Sequence, residues 1–153
     1  MRRTAAAMLA LCATAPLTAC GSEPDVPGEV RVQAGGQDIT ARPTQYCLDG
    51  EGQRYEVTPP IVEVPPDTAI SLTVPDDIAE QGWQVQVFDE SLQELLGEVD
   101  VPQGTETFAE INSSDVVPPA FYLVVVEDSG GDCGEFSAAW PVGVIRAGGN
   151  LGG

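Results

Sequence analysis

In the segment Trp83-Gln84-Val85-Gln86-Val87 each apolar side chain stands two residues from the next. An extended backbone sends alternate side chains to opposite faces, so Trp83, Val85 and Val87 share one face and the glutamines the other; this predicts a half-buried strand. The same period runs through Val30-Arg31-Val32-Gln33-Ala34 and Ile70-Ser71-Leu72-Thr73-Val74. Phe136, Ala138, Trp140, Val142 and Val144 share one parity and predict the last strand. Pro141 removes a backbone donor there, which predicts a sheet edge or a bulge. Residues 121–126 are apolar without alternation, which predicts a central strand covered on both faces.

Gly35-Gly36-Gln37 predicts a hairpin turn into a strand over 38–47. Val62-Glu63-Val64 lies between Pro59-Pro60 and Pro65-Pro66, as a short edge strand would. Pro75-Asp76-Asp77-Ile78-Ala79-Glu80 predicts one helical turn with acids near its start. Leu92, Leu95, Leu96 and Val99 have mixed spacing and predict nothing firm. About eight short strands indicate an all-β chain, an antiparallel Ig-like β-sandwich of about seven to nine strands. Tyr122, entering the penultimate strand, is placed for a tyrosine corner. Cys133 falls after that strand, so a bridge to Cys47 would tie a strand end to a hairpin rather than pin two sheets together.

The N-terminus has the three parts of a lipoprotein leader: Arg2 and Arg3, an apolar stretch over 4–16, and the lipobox Leu17-Thr18-Ala19-Cys20. The apolar stretch is shorter than the roughly 20 residues a bilayer span needs. The expected organisation is a signal peptide over 1–19, a lipidated Cys20 with a flexible tether over 20–28, the sandwich over 29–147 and a disordered tail over 148–153. The competing reading is an ordinary secreted protein cut near Ala19. Arg2-Arg3 leaves export by the general or the twin-arginine route open. The expected location is the extracytoplasmic face of the cell membrane, held by lipid.

The chain contains no histidine and no lysine, and both methionines lie in the leader. From Cys20 onward, four arginines stand against 24 acids, a formal charge of −20. A Ser-His-Asp triad, a His-ligated metal, a Schiff base, a P-loop lysine and a thioether copper site are therefore excluded. The charge repels phosphate backbones, so no nucleic-acid partner is expected. No cofactor is indicated. With Cys12 in the leader and Cys20 lipidated, Cys47 and Cys133 remain, and in an oxidising compartment they predict a disulfide. A redox-active or metal-binding pair is the alternative, which the absence of CxxC spacing disfavours.

Among candidate sites, the loop carrying Asp128, Asp132 and Glu135 is glycine-rich and offers Ca²⁺ three carboxylates. Its spacing is not that of an EF-hand, and an acidic hairpin turn is the plainer reading; no metal site is assigned. Trp83 and Trp140 are expected in the core, with a sugar or peptide groove as the alternative. Paired carboxylates for glycoside hydrolysis cannot be picked out among 24 acids without geometry.

The lipobox, Tyr46-Cys47, the strand ending at Val74-Pro75, the Trp83–Val87 alternation and Leu123-Val124-Val125-Val126-Glu127 together resemble an actinobacterial family of envelope lipoproteins with a domain of unknown function. The resemblance implies an envelope location and no catalytic or binding residues. The expected function is a non-enzymatic, lipid-anchored binding or assembly module with an envelope protein partner, and the edge at Val62-Glu63-Val64 is a candidate for strand addition. A small-ligand or cation-binding lipoprotein is the second expectation and a carboxylate-based hydrolase the third.

Overall fold

The computed structural model describes residues 27–128, 133–134 and 137–151. The described chain forms eleven strands and one short helix. In order these are β1 (Val30–Ala34), β2 (Gln37–Ala41), β3 (Gln45–Leu48), β4 (Glu51–Arg54), β5 (Ile61–Val64), β6 (Ala69–Thr73), α1 (Asp76–Gln81), β7 (Trp83–Phe88), β8 (Leu95–Asp100), β9 (Thr107–Asn112), β10 (Ala120–Glu127) and β11 (Ala139–Arg146). One sheet has the order β2-β1-β6-β9; the larger has β4-β3-β11-β10-β7-β8, with β5 also paired to β11. The result is the expected β-sandwich. Its pairs are antiparallel except β5 with β11, which is parallel.

The alternating segments form the walls of the core. Val30, Val32, Ile70, Leu72 and Val85 are fully buried, and the polar residues between them face outward. β10 is central as expected, with β11 on one side and β7 on the other. Phe121, Leu123 and Val125 fill the interior, while Val124 on the opposite face is also buried. Trp140 is fully buried, and its indole N–H donates to the Gly28 carbonyl at 3.0 Å, so the large ring enters the core with its one polar atom satisfied.

Three differences from expectation have local causes. First, there are more strands than seven to nine: the strand expected over 38–47 is divided into β2, which pairs with β1 in the smaller sheet, and β3, which forms a hairpin with β4 in the larger one, and β9 is added. Second, β11 is not an edge. Gly143 N–H donates to Pro60 O, and Ala139 O accepts from Thr44 N–H, so odd-numbered residues of β11 turn their backbone groups away from β10. Pro141 belongs to that set, and its missing donor falls in the gap where the neighbour changes from β3 at Ala139 to β5 at Gly143. Third, the tyrosine corner is not formed: Tyr122 lies on the outer face of the larger sheet, in register with Phe88 and Gly143.

The ends of the domain are also fixed. Pro27 is buried and Gly28 packs against Pro75, so the folded part begins before residue 29. Residues 148–151, expected as part of a disordered tail, lie on the larger sheet. Gly149 N–H donates to Arg146 O, and the bare Cα of Gly149 sits against the Pro119 carbonyl, an approach that leaves no room for a side chain. Leu151 covers Gly143.

Cys47 of β3 is bonded to Cys133 in the β10–β11 connection, with their Cα atoms 5.9 Å apart and a sequence separation of 86. As expected, the bridge ties a strand end to a hairpin. Among the described residues the ladder between β3 and β11 is the single pair Gln45–Ala139, so the bridge reinforces a short seam. In the chain-entropy account a loop of that length contributes about 4.5 kcal/mol. The double variant Cys47→Ala/Cys133→Ala should therefore unfold at a clearly lower guanidinium midpoint than the oxidised chain; equal midpoints would contradict the assignment.

Candidate functional site

Several concave regions use residues from more than one element, and two of them lie at an end and at the open side of the sandwich. The first lies at the pole where β7 begins and β8 and β10 end. Gln81, Trp83, Gln84, Asp100, Gln103, Glu127, Asp128 and Ser137 line a pocket of about 400 Å³ there. Its roof is the segment after β8, held down on α1: Gly104 N–H donates to Ala79 O at 2.8 Å, and the Gln103 side-chain amide donates to Glu80 O at 2.9 Å. Its wall is Trp83, whose indole N–H donates to Thr105 O at 2.7 Å and whose ring meets Phe108 edge-on at 6.3 Å.

Glu127 gives this pocket its chemistry. It continues the inward parity of Phe121, Leu123 and Val125, so the last residue of β10 carries a carboxyl group into the end of the core, with the residue only 4% exposed. Burial first, and then the negative charges of Asp77 and Asp128, hold its carboxyl above the ordinary glutamate value of 4.5. Among the described residues no basic side chain lines the pocket.

The second region runs along the open side of the sandwich between the outermost strands β8 and β9. Val87, Leu96, Val99, Phe108, Ile111 and Val116 form a groove of about 470 Å³, with Glu98, Glu110 and Asp115 along it. Phe108, Ile111 and Val116 belong to the core, so the groove is a place where the core reaches the surface. Leu95, Leu96 and Val117 stand exposed beside it, Val117 almost completely. Both flanking strands are bulged. Val87 pairs with Gly97 and Phe88 with Leu95, so Leu96 is the extra residue in β8; Ile70 pairs with Ile111 and Leu72 with Phe108, so β9 carries an extra residue between them. A bulge re-aims side chains and is common at sheet edges. The Arg146 guanidinium fixes the loop at the end of the groove by donating to Val117 O and Pro118 O, each at 2.9 Å.

Of the candidates read from sequence, Asp128 lines the first pocket; Asp132 and Glu135 lie outside the described residues, as do Leu17, Thr18, Ala19 and Cys20. Among the described residues no group of three His, Cys, Asp or Glu side chains is placed to hold a metal ion. Trp83 and Trp140 are core residues as expected, and the pocket beside Trp83 is polar rather than dry. The edge at β5 is partly closed: the Glu63 carbonyl, which faces away from β11, accepts from the Gln37 side-chain amide. Among the described residues no helix is long and apolar enough to cross a membrane. Glu127 and the β8–β9 groove were not among the candidates. The parity of β10 points to Glu127, whereas the groove follows from strand order, which no local signal carries.

The raised carboxyl of Glu127 has a definite consequence for stability. At a pH well below 4.5, folded and unfolded chains both carry this proton. As pH rises, the unfolded chain releases it first, so stability falls until the folded carboxyl also ionises, and is then level. Asp77 on α1, Asp128 beyond β10 and Asp100 at the end of β8 are the charged groups around it. Glu127→Gln should therefore raise the melting temperature near neutral pH, and this gain should vanish toward acid pH; a difference independent of pH would contradict the burial of the charge.

No curated protein and no solved structure matches this chain. One family profile does, over residues 23–131, which include every strand from β1 to β10 and both regions' main linings. The chain belongs to the family described as "Protein of unknown function (DUF2771)".

Proposed function

We propose that this chain is a lipid-anchored, extracytoplasmic and non-enzymatic binding module of the kind found in actinobacterial envelopes, and that the β8–β9 groove receives its protein partner. The groove carries the reading. Core residues line it, Leu95, Leu96 and Val117 are exposed beside it, and acids border it. An exposed apolar patch bordered by charge marks an interaction surface. The partner segment it fits offers apolar side chains next to lysine or arginine, because Glu98, Glu110 and Asp115 border the groove and the whole chain has a formal charge of −18. Leu17-Thr18-Ala19-Cys20 supports the anchor, and the Cys47–Cys133 bridge suits an oxidising compartment. The absence of histidine and lysine supports a role without catalysis.

Two experiments test this reading. Cys20→Ala should leave an uncleaved precursor or release the protein from the membrane fraction; unchanged mass and fractionation would remove the anchor. For the groove, a labelled peptide of alternating leucine and lysine should bind the purified chain in a salt-sensitive way, and a leucine–glutamate peptide should not. Leu96→Asp should weaken the basic peptide roughly tenfold or more, the loss expected when a buried leucine contact is removed. Equal binding of both peptides, or no effect of Leu96→Asp, would sink the groove.

A further inference from the structure

We infer that the pocket beside Trp83 is a binding site for a primary ammonium group, with Glu127 as its counter-ion and Asp100 and Asp128 in the same lining. This goes beyond the protein-binding groove and uses different residues. Only two polar side chains are counted in the described core, Ser113 and Glu127. Ser113 is satisfied: its hydroxyl donates to Pro65 O and accepts from Thr68 N–H, both at 3.0 Å. Glu127 has no comparable partner among the described residues; its backbone N–H donates to Ala138 O, while its carboxyl faces the pocket lining and the charges of Asp77 and Asp128. Its oxygens open onto the pocket, since no fully buried side-chain oxygen among the described residues is left without a partner, and the other nearby charges are also negative. The group that complements such a lining is a cation that also donates hydrogen bonds.

The lining decides which cation. The described residues offer no set of three ligands for a metal ion. Gln81, Gln84 and Gln103 bring neutral amides, Ser137 a hydroxyl and Trp83 an aromatic wall. An ammonium group supplies three N–H donors for carboxylate and amide oxygens and tolerates an aromatic neighbour. About 400 Å³ admits such a group on a short alkyl chain. The ammonium has two possible sources, a free amine or an amine-bearing lipid headgroup. The second rests on the proposed anchor: with lipid on Cys20 it would be within range, because Gly28 docks at this pole, through its hydrogen bond with Trp140 and its contact with Pro75 just before α1.

The test uses the purified full-length chain in detergent at neutral pH and low ionic strength, titrated with 1,4-diaminobutane. Saturable binding is expected, with a shift of the Trp83 indole N–H resonance. Glu127→Gln should weaken binding roughly tenfold or more, the scale of one lost charge-assisted hydrogen bond, and Glu110→Gln on the groove should leave it unchanged. Leu96→Asp should also leave it unchanged, so failure here and failure of the groove are separable. Competition by phosphatidylethanolamine nanodiscs, but not phosphatidylcholine ones, assigns the ammonium to a headgroup; no competition assigns a free amine, and either supports the site. Equal binding by Glu127→Gln, displacement of the amine by equimolar Ca²⁺, or saturation without a Trp83 shift would overturn it.

Discussion

The arrangement depends on the burial of β10 between β7 and β11. Its odd-numbered residues all point into the sandwich, and Phe121, Leu123 and Val125 fill the middle of the core. Shifting this strand by one residue would turn that face outward and bring Tyr122 and Val124 inside, so the register is strongly determined. The same register has a cost at the end of the strand: the next residue of that parity is Glu127, which is held inside by the strand that makes the core. A carboxyl group in that position opposes folding at neutral pH. Burial of Trp140, Phe121 and their neighbours on both sheets outweighs it.

The two sides of the sandwich are closed differently. On one side β5 runs parallel to β11, the Gln37 side chain takes an outward carbonyl of β5, and the disulfide holds β3 near the β10–β11 connection. On that side β2 and β4 end their sheets. On the other side β8 and β9 end their sheets without a further strand, and each carries a bulge. Bulges interrupt the regular row of donors and acceptors that would otherwise pair with a strand from another chain. A partner on this side would therefore be recognised by side chains entering the groove, not by extension of a sheet.

This also explains what the sequence makes legible. Strands whose apolar residues keep period two, β1, β6, β7 and β11, can be read directly, and so can the unbroken run of β10. The bulged strands cannot. In β9 the buried residues Phe108 and Ile111 are three apart, and in β8 the extra Leu96 breaks the spacing, so neither fits a strand or a helix pattern. β3 and β4 are polar or half-exposed and are set by pairing, although Asp49-Gly50, both with positive φ, is a strong hairpin signal. Glu127 was legible in principle from parity, but a charged residue at the end of an apolar run is ordinarily taken as the start of the loop. The groove depends on β8 and β9 becoming neighbours across the two sheets, which is a property of topology alone.

The docking of Pro27 constrains how an anchored domain would stand. Pro27 lies seven positions after Cys20, a reach of roughly 25 Å even when fully extended. If Cys20 carries lipid, the pole bearing Gly28, α1 and Glu127 must stay close to the headgroups, because the tether is no longer than the eight-residue β10. That pole carries Asp76, Asp77, Glu80, Asp100, Glu127 and Asp128, and an anionic bilayer surface would repel it. In that case anchor and charge would oppose each other at the membrane. The opposition is relieved if cations collect between them, and an ammonium-bearing headgroup is one that the membrane itself can supply. The loop at the far end of the groove, held by Arg146, then faces away from the bilayer, where a partner can reach it without crossing the acidic pole.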